Sequence, residues 1–286
     1  MHNVGSYFLE ATVIMHCQNC GNYLNGTYCS NCGEKQFDKH ELTVKHFFGE
    51  ILESFFHFDN RFFKSLKLLL TKPGQLSLNF VEGRRVYFMK PLQLFLVLNI
   101  CLFFIPGNPF SLPLYNYTTY GTFTKYGTKK IIADKIDKSS ISLKEYTLQF
   151  DEKIKAESKE FIFCYIPFYA FILSLLFILS RRTIAEHLVF ACHFMSLYML
   201  LSILNTILIG LPFYYLSKLQ HSQLFDNINT LVLEVLLFVY LFIAIRKFYK
   251  PSFLWALISA CSISLTFIFI LQYYRMLLFF KIVFLG

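Results

Sequence analysis

The chain has 286 residues, 55% hydrophobic and 19% aromatic, with 27 Lys and Arg against 18 Asp and Glu for a formal charge of +9. Soluble domains are about 45–50% apolar and rarely carry several runs of near-membrane length, so this composition excludes an ordinary soluble domain and implies an integral membrane protein. The positive balance is assigned to cytoplasmic segments under the positive-inside rule, not to nucleic acid, which leaves the lipid bilayer as the main partner.

Residues 1–16 lack a secretory pattern: no Lys or Arg stands near the start, Glu10 interrupts the apolar run, and no small-residue cleavage site follows. They are expected to be a disordered tail or an over-extended start, with translation beginning at Met15. Residues 17–36 hold the strongest motif. Cys17-Gln18-Asn19-Cys20-Gly21 and Cys29-Ser30-Asn31-Cys32-Gly33 are near copies. One C-x-x-C pair brings two thiolates onto a cation, and a second pair completes a tetrahedron. Gly21 and Gly33 stand where the chain must turn back. Between the pairs, Tyr23 to Tyr28 reads as a hairpin with Asn25-Gly26 in a primed turn. The expectation is a small β zinc ribbon holding one structural zinc on Cys17, Cys20, Cys29 and Cys32. Two disulfides and a rubredoxin-like iron are the alternatives. Four thiolates leave no open position for an activated water. Cys101, Cys164, Cys192 and Cys261 lie within apolar runs and are read as packing.

Residues 40–87 are expected to form amphipathic cytoplasmic helices. Val44, Phe47, Phe48, Ile51, Leu52, Phe55 and Phe56 make one helical stripe. Asp59 can cap a second helix, with Phe62, Phe63, Leu66, Leu69 and Leu70 on one side and Arg61, Lys64 and Lys67 on the other, stopped by Lys72-Pro73-Gly74. Such faces suit a membrane surface, or pack on a transmembrane bundle instead.

Residues 88–286 carry five apolar runs: 88–105, 161–180, 188–211, 231–245 and 253–271. A spanning helix needs about 20 residues, so runs two, three and five qualify and one and four are borderline. The tail from Met276 to Leu285 is too short to span back. The fold class is therefore an all-α integral membrane bundle of about five transmembrane helices, with a small N-terminal β ribbon and amphipathic surface helices. Placing the ribbon in the cytoplasm puts Arg84, Arg85, Lys90, Arg181, Arg182, Arg246, Lys247 and Lys250 inside, and thiolates stay reduced there, which favours zinc. The loop 107–160 is then outside. Within it, residues 111–128 read as irregular or short β structure, and Ser142-x-x-Glu145 is a capping box opening a helix.

No nucleotide loop, nucleophile elbow or zinc-protease motif is present, and no catalytic constellation is visible. Glu186-His187 reads as part of an interfacial cluster with Arg181 and Arg182. The candidate intramembrane polar residues are His193, Asn205 and Glu234, since polar groups are costly in lipid. Glu234 is expected one turn from the outer end of its span, level with Asn205 and Thr206. Interhelical hydrogen bonding is the competing account of all three.

The order of parts resembles an uncharacterised bacterial domain-of-unknown-function family of multi-pass membrane proteins with an N-terminal four-cysteine zinc ribbon. The residues that carry the resemblance are Cys17-Gln18-Asn19-Cys20-Gly21, Gly26-Thr27-Tyr28-Cys29, Cys32-Gly33-Glu34-Lys35, Leu42-Thr43-Val44-Lys45-His46, Lys72-Pro73-Gly74, and Gly83-Arg84-Arg85-Val86-Tyr87 with Pro91. It covers about 17–105 and implies architecture alone, in the bacterial inner membrane with the N-terminus cytoplasmic. Two functions fit: an inner-membrane protein whose ribbon docks a cytoplasmic protein or braces the bundle, or a transporter or channel component with a polar path. Oligomeric state is left open.

Overall fold

The computed structural model of the protein describes residues 16–24, 26–36, 60–105, 109–139, 141–158, 161–216 and 223–285. The Met15 start, the Asn25 turn position, the stripe from Val44 to Phe56 and the Asp59 cap lie outside these residues.

The first described helix, α1 (Asn60–Thr71), buries Phe62, Ser65 and Leu69 at i, i+3 and i+7. Gly74 follows it in the left-handed region at φ 75, where a side chain is disfavoured. The short α2 (Gln75–Val81) buries every residue from Leu76 to Val81. Its neighbours are the long helices introduced below, so this part of the amphipathic region packs on the bundle. Pro91 opens α3 (Pro91–Phe104), where its missing N–H costs nothing. At about 1.5 Å per residue α3 is about 21 Å long, short of the roughly 30 Å hydrocarbon core. The first apolar run therefore makes a buried partial helix: Leu94, Phe95, Leu98 and Leu102 are all inaccessible.

Residues 111–128 were expected to be irregular or β. They form α4 (Leu114–Thr119) and α5 (Gly121–Thr124), followed by α6 (Thr128–Ser139). The helix α7 (Leu143–Glu157) starts at the expected box, with the Ser142 hydroxyl accepting the Glu145 N–H at 3.2 Å. The second apolar run breaks into a 3-10 turn at Phe161–Cys164, α8 (Tyr165–Leu176) and a second 3-10 turn at Ile178–Ser180. It has spanning length only together with α7, across a 40° bend.

The centre of the fold is α9 (Ile184–Asn205), whose capping box pairs Thr183 with Glu186. It is apolar on all sides and buried on nearly all of them, packing against α1, α2, α3 and α8. A wide π-turn over Thr206–Gly210 leads to α10 (Leu211–Leu216). Two long helices complete the chain: α11 (Gln223–Tyr249) and α12 (Phe253–Leu285). The tail from Met276 is no separate segment. No glycine or proline interrupts 271–276, so α12 continues for 33 residues, about 50 Å. Its far half carries α7, and the Tyr117 ring of α4 stacks on Phe279 at 4.9 Å.

Among the described residues three helices are long and apolar enough to cross a membrane: Ile184–Phe213, Leu224–Tyr249 and Phe253–Leu285. The count is four if the bent α7–α8 pair is one span. The expected five is not reached among the described residues. Apolar run length counted residues in α3 and α8 that the backbone spends on short helices and turns.

The basic ends of the long helices meet. Arg182 donates to the Phe248 carbonyl at 3.1 Å and to Glu186 at 3.0 Å, satisfying a terminal carbonyl of α11. His187 Nδ1 and the Tyr249 hydroxyl are 2.8 Å apart. Thus Glu186 caps and pairs with Arg182, while His187 joins α9 to α11.

Candidate metal centre

The N-terminal motif folds as two matching knuckles. In the first, the Gly21 N–H donates to the Cys17 carbonyl and the Cys17 N–H to the Asn22 carbonyl, both at 2.8 Å. In the second, Gly33 donates to Cys29 at 2.8 Å and Cys29 to the Glu34 carbonyl at 2.7 Å. Gly21 and Gly33 sit at φ 76 and 72, the left-handed turn the spacing called for. The expected hairpin across Tyr23 to Tyr28 is not shown by the described residues, which leave out its turn position Asn25. Tyr23 bridges His16, and Tyr28 bridges Lys35, so each tyrosine closes its own knuckle. The described residues of this region contain these isolated bridges and no strand. Turns that fold back within five residues leave too little extended chain for a ladder.

Four sulfurs converge. The Cys17, Cys20, Cys29 and Cys32 Sγ atoms all lie within 4.8 Å of one another. Between the knuckles, Cys17 to Cys32 and Cys20 to Cys29 are each 3.6 Å. Thiolates at about 2.3 Å from a tetrahedral ion stand about 3.8 Å apart, so the donor set fits one ion. Backbone N–H groups of Cys20 and Asn19 are directed at the Cys17 sulfur and would stabilise its thiolate. Burial acts the other way and pushes the metal-free Cys17 thiol up to about 11. His16 stays out of the donor set: its ring lies tilted against Tyr23 and its Nδ1 is 3.1 Å from the Gly21 carbonyl oxygen.

A side chain that sequence reading passed over ties this centre to the helices. Glu34, 6% exposed, accepts the backbone N–H groups of Arg85 and Val86 through one carboxylate oxygen, both at 2.9 Å. The receiving loop is itself held to α2. Arg85 Nε donates to the Phe80 carbonyl at 2.9 Å with its guanidinium over the Phe80 ring, and Arg84 and Gln75 both donate to Asn79 Oδ1. The only trace in the sequence was Glu34 following Gly33 directly.

The three polar candidates are not brought together. His193 is buried on α9, and its Nδ1 lies 2.8 Å from the Ser77 hydroxyl of α2. Among the described residues its Nε2 has no hydrogen-bond partner, and His193 borders a cavity of about 10 Å³ with Gly74 and Tyr240, the room of about one water. Among the described residues Ser259, Cys261 and Ser262 of α12 make no hydrogen bond to His193. Asn205 is half-buried at the head of the π-turn. Glu234 is deeper than expected, because α11 begins at Gln223: it stands about 22 Å from the Tyr249 end. Tyr198 of α9, about 21 Å from the start of its helix, shares that depth and feels the Glu234 charge. The cation acting on Glu234 is Arg275 of α12, which no apolar-run argument picked out. Arg275 also donates twice to the Pro109 carbonyl, at 2.9 and 2.7 Å. Beside it Phe110 is enclosed edge-on by Tyr165, Tyr198 and Tyr274.

No curated protein and no solved structure matches the chain. The segment 59–103, which covers α1, α2 and nearly all of α3 and includes Lys72-Pro73-Gly74 and Gly83-Arg84-Arg85-Val86-Tyr87 but not the four clustered cysteines, matches the family model described as "Protein of unknown function (DUF3667)".

Proposed function

We propose that the chain is a multi-pass protein of the bacterial inner membrane whose N-terminal ribbon, on the cytoplasmic side, holds one structural zinc and braces the helical bundle. Its parts are the ribbon at 17–36, the helices ahead of Pro91, and a bundle that carries the region 107–160 on its outer end. The observation that supports bracing is Glu34. Its backbone is fixed by the second knuckle, and its carboxylate is spent on the loop before α3. A metal on the four sulfurs would fix that knuckle, and through Glu34 the loop after α2. Zinc supplies no chemistry here beyond cross-linking, since four thiolates fill its shell.

The side assignment draws on the same contacts. The ribbon docks beside α2, and Gly74, at the start of α2, lies against Ala244 near Arg246 and Lys247. The ribbon therefore shares an end of the bundle with the basic residues, which the positive-inside rule places in the cytoplasm.

Transport is the second reading, and the orphaned Nε2 of His193 is what favours it. Against it, the adjoining cavity admits about one water, and Glu234 stands about 8 Å farther along the bundle than His193. The test is metal analysis of the purified full-length protein together with its thermal midpoint before and after chelation. About one zinc per chain, and a midpoint of the helical part that falls on chelation, support bracing. A midpoint unchanged by metal loss would leave the ribbon a bystander.

A further inference from the structure

We infer that α1 is an interfacial helix that binds anionic phospholipid headgroups of the leaflet on the ribbon side. Its level is set midway along it and just past its end. Midway, Ser65 Oγ accepts the Met89 N–H at 2.8 Å, two residues before Pro91 opens α3. Just past the end, the position of a Cβ on Gly74 is 2.6 Å from the Ala244 carbonyl oxygen, two residues from Arg246. Both anchors are at the basic end of the bundle, so α1 runs along the boundary between hydrocarbon and water and does not cross it.

Three kinds of surface divide its circumference. Phe62, Ser65 and Leu69 are buried against the protein. Phe63, 69% exposed, and Leu70, 39% exposed, lie roughly 100° round the helix from that stripe, the Phe63 ring touching the protein through an edge-on contact with Phe62. The single apolar side expected from the sequence is thus split, with one part on the bundle and one facing outward. Arg61, Lys64, Lys67 and Lys72 are exposed beyond Phe63 and Leu70, and no Asp or Glu occurs from 60 to 81. Lys64 Nζ is held 5.4 Å from the Tyr87 ring, at the loop that leads into α3. An apolar flank next to a one-signed cationic edge, held parallel to the boundary, is complementary to acyl chains below and phosphate above. Long lysine stems let the ammonium groups reach the headgroups while their methylenes stay against the chains.

The test uses full-length, metal-loaded protein in lipid nanodiscs of phosphatidylcholine, with or without phosphatidylglycerol. Native mass spectrometry should show several-fold preferential retention of phosphatidylglycerol, and the thermal midpoint should be higher in the anionic discs. In the triple variant Lys64→Gln, Lys67→Gln, Lys72→Gln that preference and that shift should be lost, with zinc content and the midpoint in phosphatidylcholine unchanged. The zinc readout keeps this result separate from the bracing proposal. A wild type without lipid preference, or a triple variant that retains it, overturns the inference. If the triple variant does not fold, Leu70→Trp in a Trp255→Phe background reports directly, since Trp255 is the chain's one tryptophan. Quenching by brominated phospholipid is the expected result. An unquenched Trp, whether covered by a second copy or by another protein, overturns the lipid assignment.

Discussion

Glu34 reaches across 51 positions of sequence to accept the Arg85 backbone N–H at 2.9 Å. The Val86 N–H converges on the same oxygen. A carboxylate this buried is stable only when its charge is met, and two amide dipoles meet it here. The pairing joins the cysteine knuckles to the loop between α2 and α3, inside the segment shared with the family of unknown function.

Replacing Glu34 with Ala is expected to lower stability by roughly 2–3 kcal/mol, because it removes charge-assisted bonds and strands two N–H groups. Glu34→Gln keeps an acceptor and should recover part of the loss. Zinc content should stay at wild-type level in both. Thermal unfolding with parallel metal analysis checks this, and an Ala variant as stable as wild type would show that the docking contributes nothing.

Cys20→Ser should abolish stoichiometric metal and expose the N-terminal region to protease while the helices stay in the membrane fraction. Acid should act in the same direction. Bound thiolates are held deprotonated, so their proton affinity is lower in the metal-loaded fold than in the unfolded chain. The stabilisation is present at neutral pH and is lost as pH falls and protons reclaim the sulfurs. The upward push on the metal-free Cys17 thiol strengthens that competition. Zinc release followed during acid titration should be cooperative, and metal retained at pH 3 would contradict a four-thiolate site.

What was legible in the sequence is what local spacing encodes. The paired C-x-x-C-Gly units gave the left-handed glycines and the convergence of four sulfurs. Ser142 with Glu145 gave the start of α7. The third, fourth and fifth apolar runs gave the three long helices. What was not legible is partnership over distance. Nothing near Arg275 announces that its guanidinium takes the Pro109 carbonyl, and nothing near Glu34 announces Arg85. Run length also misled: the sequence from Phe88 to Ile105 has the hydropathy of a span, yet α3 is 14 residues and packs against α9. Hydropathy reports burial from water and does not distinguish lipid from protein.

Gly74→Ala tests the contact that seats α2. The residue has φ 75, and a Cβ would lie 2.6 Å from the Ala244 carbonyl oxygen, backbone against backbone. Conformational strain of about 1–3 kcal/mol therefore adds to a clash that no rotamer can relieve. Gly127→Ala, at φ 76 with nothing within 4 Å of a Cβ, should cost less, because it bears strain of that kind without a clash. Thermal midpoints of the two variants should rank in that order, and equal midpoints would mean the Ala244 contact is unimportant.

Topology follows from the proposed orientation. The chain enters α9 at the basic end, returns through α11 to Arg246 and Lys247, and leaves along α12. The C-terminus should thus be periplasmic, together with α4 to α7, whose Lys135 Nζ donates to the Val283 carbonyl at 2.8 Å. Phosphatase fusions should be active within 125–135 and at the C-terminus, and fluorescent-protein fusions should be bright at the N-terminus. Fluorescence from the 125–135 fusion would reverse the orientation.

The last prediction concerns Glu234, about midway along α11. An ionised carboxylate at membrane depth costs at least about 2.5–3.5 kcal/mol on insertion scales unless it is paired or reaches water. The expected neighbours, Asn205 and Thr206, lie near the end of α9. The charge that acts on Glu234 is Arg275, with Tyr198 alongside. If the residue is structural, Glu234→Gln should keep wild-type abundance and phenotype, since Gln still bonds across the bundle and carries no charge to desolvate. Arg275→Gln should be the damaging change: it removes the cation whose field acts on Glu234 and weakens two hydrogen bonds to Pro109, for a loss of about 1–3 kcal/mol. The double variant should then recover part of that loss. Under the transport reading the order reverses, because Gln can neither exchange a proton nor hold a cation. Abundance, thermal midpoint and growth phenotype of the three variants decide it. A fully abundant Glu234→Gln protein with the phenotype of a deletion strain would sink the structural account and make Glu234 a working site.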